Sequence, residues 1–340
     1  MDANQTWVKI VPGLDKVGLL LENTLRSEVP LMRNALTYSQ RSPGKMIRPS
    51  LVILSSLLFS GNGATPDFKE SDTVIEIAAA TELIHSASLI HDDIIDNADI
   101  RRGMPSIHVV FGKTPAVQIG NFFLAKAFHL LQKNRNAGVL KMMNRVVSMM
   151  CLGESEQLDK SFDYNLTEKE YRDLNFKKTS NLLAACCEAG ARIIGIKDKK
   201  HLGRLNSFGK YLGYAFQIID DILDFIAHPQ ELGKPVINDL KQGTVTLPLI
   251  YMLQKKSYRK IIALVENISD VSSIRDIIRK MVIKSGALKY SLGEAYKAID
   301  IARRDLNNFA PSAYRDYLHL ILDKLPERVN TSKLLNWQDI

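Results

Sequence analysis

Asp92, Asp93 and Asp96 in LIHSASLIHDDIID, and Asp220, Asp221 and Asp224 in YAFQIIDDILDF, share one spacing, D-D-x-x-D. On a helix the first and last aspartates of each set lie one turn apart, about 40° around the axis, so their carboxylates leave the same face. Like charges beside Ile, Leu and Phe are costly unless a cation compensates them. Oxygen-only donors suit Mg²⁺, which keeps several waters and is usually completed by substrate phosphate oxygens. One such set alone would read better as helix caps and surface salt bridges than as a metal site. Two copies, each behind a strongly apolar stretch, favour metal, and they predict two acidic walls facing each other across a pocket that holds magnesium and a polyphosphate.

Each acidic set ends a polar stripe. His85, Asp92 and Asp96 fall within about 40° of one another around an ideal helix, and Gly213, Gln217, Asp220 and Asp224 within about 60°. A lone histidine on an apolar face is ordinarily a satisfied core residue. The stripe gives His85 a functional reading, whereas His91 and His108 keep the ordinary one. Cations gather in the breaks beside these helices: Lys45 and Arg48 after Gly44, Arg101 and Arg102 before Gly103, Lys177 and Lys178 before Thr179, and Lys234 between Gly233 and Pro235. Arginine offers planar bidentate donors to phosphate and lysine a point charge, so the set suits a second polyanion bound without metal.

The elements that must position these groups are helical. Apolar residues recur at three- and four-residue intervals over Val74 to Ile95, Ala116 to Gln132, Val139 to Leu158, Glu168 to Ile194, His201 to Phe225, Ile274 to Ser285 and Leu292 to Phe309. Runs such as Ile77-Ala-Ala-Ala are apolar on more than one face, which predicts central helices. No stretch alternates convincingly as a strand would. The breaks at Ser60 to Pro66, Arg102 to Pro105, Phe111 to Pro115, Asp163 to Thr167 and His228 to Gly243 carry the Gly, Pro, Asn and Asp of helix ends. None is a linker, so the expected architecture is all-α, roughly a dozen helices in a single domain over residues 1–340.

The chain has 340 residues, 46% of them hydrophobic, which excludes a mainly disordered state. Forty-five basic against 37 acidic residues give a net charge of +8, compatible with nucleic acid, an anionic membrane surface or an anionic small molecule. No basic-aromatic motif supports nucleic acid. Cys151, Cys186 and Cys187 form no disulfide or zinc pattern, and every long apolar stretch reads as interrupted before spanning length. The expectation is a soluble intracellular protein, cytoplasmic, or organellar after removal of a transit peptide.

The order GKMIRP, IHSASLIHDDIIDNADIRRGMPSIH, KKTS, GYAFQIIDDILDF and GKPVINDLKQGTVTLP, from about Lys45 to Pro248, resembles the trans-isoprenyl diphosphate synthases, or polyprenyl synthetases. The resemblance implies an isoprenoid-synthase fold with helices around a central substrate cavity, usually in a homodimer. It implies a reaction that joins isopentenyl diphosphate to an allylic diphosphate. Carried over by residue, two or three Mg²⁺ ions would be held by Asp92, Asp93, Asp96, Asp220, Asp221 and Asp224. Arg101, Lys178, Thr179, Gln217 and Lys234 would bind the allylic diphosphate, and Lys45, Arg48, His85 and Arg102 the isopentenyl diphosphate. Asp92, Asp96, Asp220, Lys178 and Lys234 would carry catalysis by stabilising the leaving group as the allylic C–O bond ionises. The homoallylic double bond then attacks the cation, and the departed diphosphate takes the proton.

Ala87 and Ser88 lie about one helical turn before Asp92, where short-chain members of the family commonly carry an aromatic ring. Two small residues there predict an open tunnel and a product of C20 or longer, with peripheral association at a membrane for its release. Phe122 and Phe123 are candidates to close that tunnel, although ordinary core packing is the more usual reading of them. Asn121 stands where long-chain members often have Asp. Two other readings remain: a terpene cyclase of the same fold, which typically carries a different second motif, and a non-catalytic subunit of a heteromeric synthase, which typically loses an acidic motif.

Overall fold

The computed structural model describes residues 11–40, 44–60, 72–226, 242–255, 258 and 275–329. Helices dominate these residues. In chain order they are α1 (Leu14–Thr24), α2 (Pro30–Gln40), α3 (Ile47–Leu57), α4 (Asp72–Ile95), α5 (Ile107–Phe111), α6 (Lys113–Lys133), α7 (Ala137–Asp159), α8 (Glu168–Asn175), α9 (Asn181–Ile193), α10 (Lys199–Ile226), α11 (Leu247–Gln254), α12 (Arg275–Lys284), α13 (Ala287–Leu306) and α14 (Ala313–Glu327). Between α4 and α5 lies a two-residue antiparallel ladder, β1 (Ile100–Arg101) with β2 (Met104–Pro105). A single π-helical turn, Phe176–Ser180, joins α8 to α9.

The chain divides into two compact units, each drawing on three stretches. The first takes its described residues from Met1–Val147, Leu182–Gly209 and Asp305–Leu318, and the second from Ser148–Asn181, Lys210–Arg304 and His319–Ile340. The first acidic set belongs to the first unit and the second set to the second.

In the first unit α4 is the central helix. From Val74 to Ile84 every residue is buried, which its all-round apolar sequence requires. By length and composition this helix could cross a bilayer, with a mean hydropathy of 1.3 over its most apolar window. That corrects the expectation that no apolar stretch reaches spanning length. Seventy-two per cent of the window is buried in the fold, as in a core helix. The approach of α6 to α4 is close enough that a Cβ on Gly120 would lie 2.3 Å from His91 Nε2, so a side chain there would have to displace the His91 ring.

In the second unit a capping box starts α8: Thr167 accepts from the Glu170 backbone N–H while the Glu170 side chain accepts from the Thr167 N–H. The π turn that follows packs on α7, where a Cβ on Gly153 would come within 2.7 Å of Lys177 Cβ. The expected continuous helix over Glu168 to Ile194 is therefore interrupted at its lysines. A π turn inserts one extra residue and shifts the side chains around the axis, a device frequent at functional sites.

Candidate active site

The first acidic set occupies the C-terminal end of α4. Asp92 and Asp96 are half-buried, one turn apart, while Asp93 is 4% exposed. The helix ends in a left-handed residue, Asn97 (φ 47°), with Ala98 N–H donating to Asp93 O at 2.9 Å. The chain then returns through the β1–β2 hairpin, whose register pairs Ile100 with Pro105 and Arg101 with Met104. Its two-residue turn is Arg102-Gly103, both at positive φ (52° and 76°), as right-handed strand twist demands. The Tyr38 hydroxyl donates to the Pro105 carbonyl at 2.7 Å and ties the hairpin to α2.

The hairpin aims Arg101 back at α4. Its Nε donates to Asp93 Oδ1 at 2.8 Å, and Nη2 joins the same oxygen in an ion pair. Burial works against the guanidinium charge, but the Asp93 hydrogen bond and the fields of Asp93, Asp92 and Asp96 outweigh it and hold the pKa above its ordinary value. His85, two turns before Asp92, is pushed well below the usual imidazole range, first by desolvation and then by Arg48, Arg102 and Arg101. Its ring is therefore neutral at pH 7. Those three arginines and His85 share one electropositive neighbourhood, while Lys45, next to Gly44, is exposed.

Behind the hairpin lies a cavity of about 430 Å³, whose lining includes Leu21, Tyr38, Glu82, Ser86, Arg102 and Phe123. Phe123 is 3% exposed, and Phe122 is half-buried with Lys126 Nζ 5.2 Å from its ring centroid. Ala87 is fully buried; half-buried Ser88 donates to the His85 carbonyl at 2.8 Å, and neither lines the cavity. The two pairs considered for chain length thus occupy different surroundings.

The second acidic set sits near the end of α10. Asp221 is buried and accepts on both oxygens, from the Tyr171 hydroxyl at 2.6 Å and from Gln217 Nε2 at 2.9 Å. Gln217 Oε1 in turn accepts from the Thr179 hydroxyl at 3.0 Å. Burial, then the Asp221 charge, raises the Tyr171 pKa well above its usual value and keeps it a proton donor. Asp220 is half-buried and pairs with Arg328 Nη2 at 2.6 Å; Arg328 also lies 4.9 Å from the Phe216 ring centroid. Asp224 is 1% exposed. On the π turn Lys178 Nζ reaches Glu154 at 2.7 Å and Gln157 at 2.9 Å. A Cβ on Gly213 would lie 2.6 Å from Ser180 Cα, so glycine lets α10 approach the π turn.

The first unit therefore gathers Arg48, His85, Arg101 and Arg102 near its aspartates, and the second links Thr179 and Gln217 to Asp221. Lys234 lies outside the described residues. Among the described residues no group of three or more His, Cys, Asp or Glu forms a cation site on protein donors alone. The donors at Asp92 and Asp96, carboxylate oxygens one turn apart on a half-buried helix face, fit Mg²⁺ whose remaining positions are filled by water and phosphate. Sequence reasoning missed Glu82, Tyr171 and Arg328. Only Glu82 carried a signal, an acidic residue inside the apolar run AAATELIH, since buried glutamate is uncommon without partners.

With the helices, two aspartate sets and arginine hairpin in place, comparison with known proteins becomes specific. Residues 29–282 match the Polyprenyl synthetase family model, and the chain belongs to that family. It is 32% identical to the Heptaprenyl diphosphate synthase component 2 of Bacillus subtilis (strain 168), over 93% of this chain and 88% of that one. It is 35% identical to the Short chain isoprenyl diphosphate synthase of Methanothermobacter thermautotrophicus, over 84% and 86%. A solved decaprenyl diphosphate synthase from Rhodobacter capsulatus superposes with a TM-score of 0.86 at 26% identity, covering 96% of this chain and 99% of that one. The fold is that of the isoprenyl synthases, and the chain is a trans-prenyltransferase acting on isopentenyl and allylic diphosphates.

Proposed function

We propose that Asp92, Asp96, Asp220 and Asp224 hold Mg²⁺ for the allylic diphosphate, and that the enzyme extends it to a polyprenyl diphosphate of C20 or longer. Magnesium, when bound, neutralises the diphosphate as it leaves. Arg101, fixed on Asp93, and Lys178 and Thr179 on the π turn supply N–H and O–H donors to that leaving group, with Lys234 in the same role. Arg48, Arg102 and Lys45 hold the isopentenyl diphosphate, with neutral His85 as a hydrogen-bonding partner that adds no charge. The buried surfaces of α4 and α6 exclude water, which would otherwise quench the allylic cation.

What carries the chain-length reading is the small side chain of Ala87 one turn before Asp92, at a position where an aromatic ring would fill the space beside the helix. The heptaprenyl and decaprenyl relatives support it, while the short-chain relative marks the alternative. The proposed assembly is a homodimer. A heteromeric pair is the second reading, since one relative is named as component 2 of a heptaprenyl synthase.

The test is labelled isopentenyl diphosphate with dimethylallyl, geranyl or farnesyl diphosphate and Mg²⁺, followed by product chromatography. Products of C20 and above are expected, and mainly C15 with excess isopentenyl diphosphate would overturn the length. No incorporation with any primer, restored by a partner subunit, would establish the heteromeric reading. Ala87→Phe is expected to shorten the product; an unchanged distribution would refute the tunnel argument.

A further inference from the structure

We infer that Glu82 is a positioning residue for the isopentenyl diphosphate site, a buried carboxylate that holds Arg102 at the hairpin tip and ties it to the Gly44-Lys45 loop. The inference rests on the proposed assignment of Arg48, Arg102 and Lys45 to that substrate. Three observations converge on it. Glu82 is 7% exposed, deep in α4 and one turn before His85, where a carboxylate is retained only if compensated. Its compensating charges are Arg48 and Arg102, whose fields oppose the upward push of burial on its pKa. A Cβ on Gly44 would lie 3.0 Å from Glu82 Oε1, 3.0 Å from Arg102 Nη2 and 3.2 Å from Arg102 Nη1, so carboxylate and guanidinium both border the Gly44 backbone.

The backbone adds an independent reason. Arg102 has φ 52° at the first position of its turn, where Asn, Asp or Gly is the usual choice. A strained non-glycine residue persists where its surroundings over-determine it. Glu82 supplies that constraint from α4, and Asp93 does the same for the neighbouring Arg101. Two adjacent arginines of one hairpin are thus assigned to separate carboxylates of one helix. The field of Glu82 also opposes the desolvation of Arg102 and its repulsion by Arg101, so the Arg102 guanidinium can be set before substrate arrives.

Positioning and bulk electrostatics make opposite predictions, so Glu82→Gln separates them. Removing a negative charge beside an anion site strengthens anion binding if charge alone matters. If Glu82 orients the arginines, the KM for isopentenyl diphosphate rises at least tenfold, the allylic KM changes less than twofold, and calorimetric affinity for isopentenyl diphosphate falls in parallel. The thermal midpoint identifies a folding failure. In that case Gly44→Ala, which pushes a methyl group against both the Glu82 carboxylate and the Arg102 guanidinium, is expected to give the same selective rise. In the double variant with Arg102→Lys the KM should be no worse than in the poorer single variant, because both changes remove one interaction. An unchanged or lowered isopentenyl diphosphate KM in both Glu82→Gln and Gly44→Ala overturns the inference. Absence of isopentenyl diphosphate incorporation by the unmodified enzyme would instead overturn the site assignment beneath it.

Discussion

The two D-D-x-x-D sets share a spacing and differ in what holds their middle aspartate. Asp93 is fixed by a charge, Arg101, which is itself proposed to touch substrate. Asp221 is held by two neutral donors, Tyr171 and Gln217, and Gln217 links it to Thr179, which is proposed to touch substrate. In both sets the buried middle carboxylate ties its helix to a neighbouring element. The half-buried first aspartates differ again: Asp92 lends its field to Arg101, whereas Asp220 pairs directly with Arg328. One sequence motif thus combines proposed ligand-bearing positions with a structural middle one, which is told apart by the side chains it holds, Arg101 at Asp93 and Tyr171 with Gln217 at Asp221, rather than by residue type.

The largest effect should separate positions within the first set. Asp92→Ala removes a proposed metal ligand and is expected to lower kcat/KM by about a thousandfold, the equivalent of about 4 kcal/mol of transition-state stabilisation. Asp93→Asn leaves Asp92 and Asp96 in place and loosens Arg101, with an expected loss of about 10- to 100-fold, mainly as a raised allylic KM. Steady-state kinetics with both substrates varied, together with Mn²⁺ affinity by calorimetry, tests the division. Equal losses of metal affinity in the two variants would erase the distinction between ligand and tether.

A smaller effect is expected in the second set, where the tether is neutral. Tyr171→Phe deletes the hydroxyl donor to buried Asp221 and is expected to cost about 1–3 kcal/mol in stability, measured by denaturant unfolding. Because Gln217 still holds Asp221, activity should fall less than in Asp93→Asn. A larger activity loss in Tyr171→Phe would show that the neutral network bears directly on the reacting groups.

What was legible in the sequence follows from which interactions are local. α4 and α10 could be read from their apolar periodicity, and the shared face of Asp92 and Asp96 from helix geometry alone. The β1–β2 hairpin could not, because two-residue strands are too short to show alternation, and Arg102 is an unusual residue for its turn. The π turn was hidden within Glu168 to Ile194, since Phe-Lys-Lys-Thr-Ser contains neither Gly nor Pro and the inserted residue is accommodated by Gly153 on another helix. The partners of the aspartates were equally inaccessible: Tyr171 meets Asp221, and Arg328 meets Asp220, only through tertiary folding. Spacing announces that carboxylates share a face and is silent on which of them the protein keeps for itself.

The smallest predicted effect concerns the first polar side chain of each stripe, His85 on α4 and Gln217 on α10. Only the first can titrate. Desolvation, followed by Arg48, Arg102 and Arg101, depresses the folded-state pKa of His85 well below its ordinary value. Below about pH 6.5 the unfolded chain binds a proton at this position that the folded protein refuses, so the unfolded state gains. Stability from this group is therefore complete above about pH 6.5 and declines as pH falls toward the folded-state pKa, with a slope of at most about 1.4 kcal/mol per pH unit. Unfolding free energies measured between pH 7.5 and 5 should show that decline, and His85→Gln should remove it while leaving the Tyr171 network intact. Such a variant also makes the first stripe resemble the second in its uncharged polar head, so an unchanged pH slope would place the acid sensitivity outside both.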